Sequence, residues 1–173
     1  MDTLEAIHGR RSIRRYTDQP VPEQVLEDLL RAAMAAPSAG NQQAWQFVVI
    51  DDRDTLNAIP QFPPHSAMLR EAPLAIAVCG DTRLERFKGY WVQDCSAAVQ
   101  NLLLALHAKG LGGVWLGVHP IEERVAKTQE LLGLPAEVIP LALVAVGYPA
   151  EHKGPDDRYN SARVHRNRWS DAR

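Results

Sequence analysis

Apolar residues recur at helical spacing in two long stretches of the chain. Separations of three and four residues give each stretch a single buried stripe. After Pro22, which a helix tolerates in its first turn, the stripe comprises Leu26, Leu29, Leu30 and Ala33. Between Tyr90 and Lys109, with Gly110 placed to cap the C-terminus, it comprises Val92, Cys95, Val99, Leu102, Leu103 and Leu106. The second pattern predicts the longest and most central helix.

Four strands are predicted, at residues 47–50, 74–79, 112–118 and 139–146, and the continuously apolar runs at 74–79 and 139–146 predict buried strands. Three shorter helices are predicted at residues 2–9, 51–59 and 120–132. Asp2 and Glu5 form a capping box for the first of these, and Gly133 caps the third. We expect an irregular loop at residues 60–66 with an exposed His65. Periodicity alone therefore predicts a mixed α/β domain.

Composition narrows the class of protein. The 173 residues suit one domain (1–173), and 46% hydrophobic content is typical of an ordinary globular chain. No apolar run is long enough to span a membrane and no leader is visible, so we expect a cytoplasmic protein without a membrane partner. The net charge of −2 disfavours nucleic-acid binding. Cys79 and Cys95 are interpreted as buried thiols, although a disulfide stays open.

The stretch 36–45 is the most informative part of the sequence. Pro37 ends the preceding helix and Gly40 allows a turn or a close approach. Between them and Trp45 stand neutral hydrogen-bonding side chains, namely Ser38, Asn41, Gln42 and Gln43. Such donors and acceptors beside an indole suit a flat ring rich in heteroatoms. The alternative is a polar loop whose tryptophan fills the core.

Three further patterns each allow two interpretations. The basic run from Arg10 to Arg15 suits a phosphate, or it is a solvated surface. Glycines frame the strand at 112–118, either because a flat ring approaches the backbone or because the strand is bulged in the core. The tail from Gly154 to Arg173 is basic and aromatic, and it either docks or is partly disordered.

The sequence lacks the motifs of several common catalytic and binding sites. No histidine spacing suits a metal, no G-x-S-x-G elbow occurs, and neither G-x-G-x-x-G nor a Walker A loop is present. What remains is a cofactor site without an evident protein acid, base or nucleophile. A flavin enzyme permits this combination, because the cofactor carries the redox chemistry.

Residues 37–45 closely resemble the Pro-Ser-x-x-Asn-x-Gln-x-Trp element of the nitroreductase-like flavoprotein family. Residues 10–14 (Arg-Arg-Ser-Ile-Arg) are similar to its phosphate-and-ribityl segment. Residues 110–117 and 158–169 fit the small, short-chain branch. The resemblance runs in order from Leu4 to Trp169. It implies an α+β fold with a central, mostly antiparallel sheet flanked by helices, and an intertwined homodimer whose interface makes two flavin sites.

The resemblance also implies an FMN cofactor and a set of contacts to it. Arg10, Ser12 and Arg158 would hold the phosphate, Arg14 would act electrostatically at the flavin pyrimidine, and Ser38 and Asn41 would contact the flavin across the subunit boundary. The complete set of expected cofactor contacts is Arg10, Arg11, Ser12, Arg14, Pro37, Ser38, Ala39, Asn41, Gly113, Val114, Trp115, Leu116, Gly117 and Arg158.

One position departs from the family pattern. The family tail carries a basic pair at the phosphate, and Asp156 stands where the second basic residue is expected. Arg163 or Arg11 would then compensate.

The implied reaction is a ping-pong reduction of nitroaromatic, quinone or related small-molecule acceptors, with NADH or NADPH as hydride donor and no catalytic side chain. Two alternatives stay open. One is another reductive reaction on the same scaffold, such as dehalogenation, enone reduction or flavin destruction. The other is a non-catalytic flavin- or nucleotide-binding regulator.

Overall fold

The computed structural model describes residues 2–62 and 65–169, and within these it contains five α-helices and four β-strands. In chain order they are α1 (Thr3–Gly9), α2 (Glu23–Met34), β1 (Trp45–Ile50), α3 (Arg53–Ala58), β2 (Leu74–Asp81), α4 (Trp91–Ala108), β3 (Gly112–Gly117), α5 (Glu122–Leu132) and β4 (Val138–Gly147). Every predicted helix and strand is present within a few residues of its expected bounds. Residues 63–64 of the expected loop and 170–173 of the tail lie outside the described residues.

The strands form one antiparallel sheet in the order β1-β2-β4-β3. The strand directions confirm the mostly antiparallel sheet that the family resemblance implies. β2 and β4 lie in the centre and are buried almost throughout, which explains their uninterrupted apolar runs. The register of these two strands shifts between Val78 and Cys79, so that Pro140, with no N–H to donate, falls at an irregularity.

Helices cover both faces of the sheet. On one face α2 and α4 pack through residues such as Leu29, Val99 and Leu102, which are completely buried. On the other face α3 and the segment before β2 contribute Leu56 and Leu69. Burying each such leucine contributes about 1.5–3 kcal/mol of transfer free energy. The α+β class is therefore confirmed, and α4 is the central helix that its wide apolar stripe predicts.

The helix caps predicted from the sequence are present in the structure. Asp2 accepts the Glu5 main-chain N–H at 2.9 Å and Glu5 returns the bond at 3.3 Å, completing the capping box. The left-handed Gly133 (φ +62°) caps α5.

Neither cysteine is in a disulfide, and burial raises the pKa of both thiols to about 12. Within residues 2–62 and 65–169, no helix has both the length and the apolarity needed to cross a bilayer.

The segment after α1 runs along the outer edge of β3. The Ile13 N–H donates to the Gly113 carbonyl at 3.1 Å, and Ser12 pairs with Gly113 as an isolated parallel bridge. The buried Tyr16 hydroxyl donates to the Ile13 carbonyl at 2.6 Å and anchors the segment. The basic run at residues 10–15 is thereby fixed beside one end of an edge strand.

Candidate cofactor site

Arginines from opposite ends of the chain meet beside α1. The pKa of Arg10 is lowered, first by burial and then by the positive charges of Arg158 and Arg11. The Arg11 guanidinium donates to the Gly154 carbonyl, which ties the tail to this cluster. Like charges held together are unfavourable until an anion joins them, and guanidinium groups bind phosphate oxygens through paired N–H donors. Arg10, Arg11 and Arg158 line one cavity, and this arginine cluster has the charge and the donors that suit an anion.

Asp156 modifies this cluster. Its carboxylate accepts a bond from Arg158 at 2.9 Å, and that bond lowers the pKa of Asp156. The acidic residue that replaces the expected base thus offsets part of the Arg158 charge. Among the described residues, no ion pair or hydrogen bond links the Arg163 guanidinium to the cluster.

Lys153 was missed by the sequence analysis and supplies a nearby positive charge. Its ammonium donates to the Ser12 carbonyl at 2.9 Å and to Glu151 at 3.0 Å. It lines a cavity of about 250 Å³ together with Arg10 and Gly113. Lys153 directly precedes the basic tail in the sequence, and no local pattern marks it as a site residue.

Arg14 is exposed and is held by its backbone. Its N–H donates to the Glu151 carboxylate, which lowers the pKa of Glu151 against the opposing effect of burial. In the part of the chain that the structure describes, the Arg14 guanidinium makes no ion pair. It therefore remains available to a negatively charged ligand.

The three glycines of β3 differ in what surrounds them. A Cβ at Gly112 would lie 2.7 Å from Ile13, and one at Gly113 would lie 2.7 Å from Leu106 and 3.0 Å from the Ala145 carbonyl. Close packing within the chain thus explains both. A Cβ at Gly117 would meet nothing within 4 Å. The packing of this chain therefore leaves Gly117 unexplained, and the space beside it is open.

Every second residue of β3 directs its backbone N–H and C=O groups to the outer edge of the sheet. Because the Gly113 carbonyl bonds outward to Ile13 and an antiparallel strand alternates, Trp115 and Gly117 also point their backbone groups outward. Trp115 is partly exposed at this edge. Val114 and Leu116 direct their backbone groups to β4 and bury their side chains in the core. Of the five expected contacts on this strand, these two do not face the edge.

The loop at residues 37–43 adopts an unusual backbone. Gly40, Asn41 and Gln43 all have left-handed φ angles of +52°, +55° and +49°. Such angles cost non-glycine residues energy and need support from their surroundings. Ser38 Oγ accepts the Gln43 N–H at 3.0 Å, and the Asn41 side-chain oxygen accepts the Gln43 amide at 2.7 Å. The Asn41 side-chain NH₂ is left as an outward donor.

Asp94 fixes this loop to α4, although the sequence analysis gave it no role. Only 3% of Asp94 is exposed, and its two oxygens accept the Ala39 N–H at 2.9 Å and the Gln42 amide at 2.6 Å. The signal was its position at helical spacing between buried Trp91 and Ala98. An acid on that stripe predicts a buried carboxylate with its own donors. Pro37 is exposed at the start of the loop.

The expected contacts therefore fall into two groups at opposite ends of α4. Asp94 holds the loop near the start of the helix, whereas His107 lines the cavity beside Arg10. These two residues are thirteen positions apart, which corresponds to about 20 Å along the helix axis. One group comprises Arg10, Arg11, Ser12, Gly113 and Arg158, and the other is the loop with Ser38 and Asn41.

Comparison with known proteins gives consistent matches. The sequence profile of the Nitroreductase family matches residues 7–63 and 62–148. A Methanothermobacter thermautotrophicus protein, provisionally named NADH dehydrogenase/NAD(P)H nitroreductase, is 48% identical over 169 residues, covering 98% of this chain and 88% of that protein. A crystal structure of the same provisional name from Parabacteroides distasonis has a TM-score of 0.93 and 42% identity, covering 96% of this chain and 98% of that one.

A further crystal structure contains a ligand. The provisionally named nitroreductase from Desulfovibrio desulfuricans, solved in complex with FMN, has a TM-score of 0.84 and 32% identity, and the match covers 98% of this chain and 99% of that chain. The profile match over most of the sequence, the 48% identical relative and the common fold lead to one assignment. The chain belongs to the nitroreductase family.

Proposed function

We propose that this chain is an FMN-dependent oxidoreductase that uses NADH or NADPH to reduce nitroaromatic, quinone or related acceptors, in a cytoplasmic homodimer with two flavin sites. The observation that carries the proposal is the arginine cluster at one end of the β3 edge, with open space at Gly117 at the other. From Gly113 to Gly117 the strand extends about 13 Å. An anion site, an extended edge and an uncovered glycine match a molecule with a phosphate, a chain and a flat ring.

The residues present suit FMN at each part of this edge. Arg10, Ser12 and Arg158, with Arg11 and Lys153 beside them, would hold the phosphate through charged and hydroxyl donors. Trp115 and Gly117 would offer outward N–H groups to the heteroatoms of the ring, and the missing side chain at Gly117 would let the ring approach. Arg14 would offset the negative charge that reduction adds, through a charge already in place.

Two chains are proposed to build each site. The family resemblance implies that Ser38 and Asn41 contact the flavin across the subunit boundary, so each site is proposed to take its loop from a second chain. Large apolar side chains support the dimer, because they stay exposed on α1 (Leu4 at 65%, Ile7 at 45%) and on the tail (Tyr159 at 78%, Trp169 at 79%). Apolar surface of this kind marks an interface.

When bound, FMN would supply the redox chemistry for a ping-pong transfer of hydride equivalents from NAD(P)H to the acceptor. The chain itself is proposed to bind and orient the cofactor and the substrates, without a catalytic side chain. Between residues 59 and 90, the described residues form β2 and short 3-10 turns. The site is therefore proposed to be open and permissive toward acceptors.

The first experiment measures the absorbance spectrum of the purified protein and its anaerobic titration with NADPH and NADH. We expect a yellow protein that bleaches with either donor and recovers its colour with menadione. A colourless protein that does not bind added FMN refutes the assignment. Bound FMN without donor oxidation would instead indicate a non-catalytic flavin protein.

Variants then test the site residues. Arg10→Ala and Arg158→Ala should weaken FMN binding much more than riboflavin binding, because only FMN carries the phosphate. Arg163→Ala, which alters an arginine outside the cluster, is the matched control. Equal losses for FMN and riboflavin would contradict the phosphate role. Analytical ultracentrifugation tests the dimer, and a monomer that retains stoichiometric FMN would exclude a site shared by two chains.

A further inference from the structure

Two aromatic rings stand exposed in the segment between β2 and α4. Phe87 is 50% exposed and Tyr90 is 47% exposed, and the rings meet edge to face with centroids 6.3 Å apart. Burying aromatic surface is strongly favourable, so exposed rings of this size commonly serve as a binding surface. The FMN proposal assigns them no role.

The segment is fixed to the loop at residues 37–43. The Gln42 side-chain oxygen accepts the main-chain N–H groups of Arg86 at 2.9 Å and Phe87 at 3.1 Å, while its amide bonds to buried Asp94. A Cβ at Gly40 would lie 2.4 Å from the Phe87 ring, so loop and ring are in contact. Phe87 therefore packs against the loop that carries Ser38 and Asn41, the two residues proposed to contact the flavin.

The Glu85 carboxylate closes the turn of the segment. It accepts the N–H groups of Gly89 at 2.8 Å and Trp91 at 3.1 Å. This acid is therefore bonded to the backbone of its own turn. The side chains of Gln42 and Glu85 thus hold three backbone N–H groups of this segment and the first one of α4.

Positive charge flanks the rings. Arg83 is neutralised by Asp81 through two bonds, at 2.8 and 2.7 Å. Arg86 and Lys88 are exposed, and within the described residues neither side chain makes an ion pair. Two exposed cations therefore flank Phe87 in the sequence.

We propose that residues 82–90 form an acceptor wall that favours planar aromatic acceptors bearing a negative charge, with stacking on Phe87 and Tyr90 and ion pairing to Arg86 and Lys88. This inference rests on the proposed flavin reductase function and specifies the acceptor class of that site. The stacking surface recognises the ring, and the cations recognise a carboxylate or similar group. A neutral acceptor of the same shape would stack on the rings but form no ion pair with Arg86 or Lys88.

The test compares 4-nitrobenzoate with its neutral analogue 4-nitrobenzamide in the FMN-loaded protein. The measured quantity is the ratio of kcat/KM for the anion to kcat/KM for the amide, which cancels the FMN content of each preparation. Replacing both cations in the double variant R86Q/K88Q should lower this ratio about fivefold, the order expected for two exposed ion pairs. The control is Arg70→Gln, an exposed arginine before β2 at the other end of the sheet, which should leave the ratio unchanged.

Binding without turnover gives a second measurement. Benzoate, which is not reducible here, should perturb the spectrum of the bound flavin, and its dissociation constant should rise about fivefold in R86Q/K88Q. Raising the ionic strength should weaken benzoate binding to the wild type more than to the double variant. Phe87→Leu should weaken binding of both nitro compounds by a similar factor.

Failure of this inference is distinguishable from failure of the proposed function. A protein that binds no FMN or oxidises no NAD(P)H refutes the function. A working flavin reductase with an unchanged acceptor ratio, or with the same change in Arg70→Gln, overturns only the acceptor wall. A change confined to kcat/KM for NADPH also overturns it, because the two cations would then recognise the donor.

Discussion

Replacing Asp94 with alanine should destabilise the protein and loosen the loop at residues 37–43. The variant removes a buried carboxylate that accepts the Ala39 N–H at 2.9 Å and the Gln42 amide at 2.6 Å. Each buried donor left without a partner costs about 1–3 kcal/mol, so we expect a loss of about 3 kcal/mol in the free energy of unfolding. For a chain of this size, that corresponds to a fall of about 6–12 °C in Tm.

Urea unfolding and thermal unfolding measure this loss, and FMN fluorescence measures the dissociation constant of the cofactor. Asp94→Asn keeps the side-chain volume and one acceptor oxygen, so it should lose roughly half as much stability. Gln93→Ala is the matched control, since Gln93 is the exposed neighbour on the same helix and should change stability by less than about 0.5 kcal/mol.

The loop gives this prediction its functional part. Gly40, Asn41 and Gln43 hold left-handed backbone angles that need external support, and Asp94 supplies part of it. FMN should therefore bind more weakly to both Asp94 variants than to Gln93→Ala. If Asp94→Ala unfolds with the same free energy as the control and binds FMN equally well, the carboxylate does not hold the loop and the reasoning is wrong.

Three further predictions concern the phosphate end, the strand edge and acid stability. Asp156→Ala should tighten FMN binding relative to riboflavin, because it frees the charge of Arg158; unchanged relative affinity would show that the ion pair has no effect on phosphate binding. Gly117→Ala should weaken FMN binding with stability within about 0.5 kcal/mol, whereas Gly112→Ala should unfold more easily; similar stability losses in urea would contradict this. The lowered pKa of Glu151 makes its contribution to stability present above its unfolded pKa and lost as pH falls through the lower folded value. Glu151→Gln should flatten the stability profile in that acidic range, and an identical profile would refute the role.

Much of the fold follows from local patterns. The stripe from Val92 to Leu106 predicts α4, and the apolar run at residues 74–79 predicts a strand that proves buried on both faces. The Asp2 capping box forms as expected. These signals are readable because helical and strand periods, caps and breakers depend on residues only a few positions apart. Strand directions required the family resemblance, since alternation does not encode a partner.

The candidate site was only partly readable. The resemblance predicts Arg10, Ser12 and Arg158 as cofactor contacts, and the structure places Arg158 near Arg10 and Ser12 against Gly113 of β3. Lys153 was overlooked, because nothing local marks a lysine that reaches across to the Ser12 carbonyl. Val114 was expected among the contacts, yet its side chain is buried and its backbone pairs with β4.

By itself, then, the sequence determined the helices, the strands, the loop at residues 37–43 and the family. Only the tertiary structure decided which charges meet: Arg10 lies beside Arg158, and Asp94 supports Ala39 from the start of α4. Local conformation depends on neighbours along the chain, whereas these contacts join residues 148 and 55 positions apart. Their geometry is set by how the sheet and α4 pack as a whole, which no short stretch of sequence encodes.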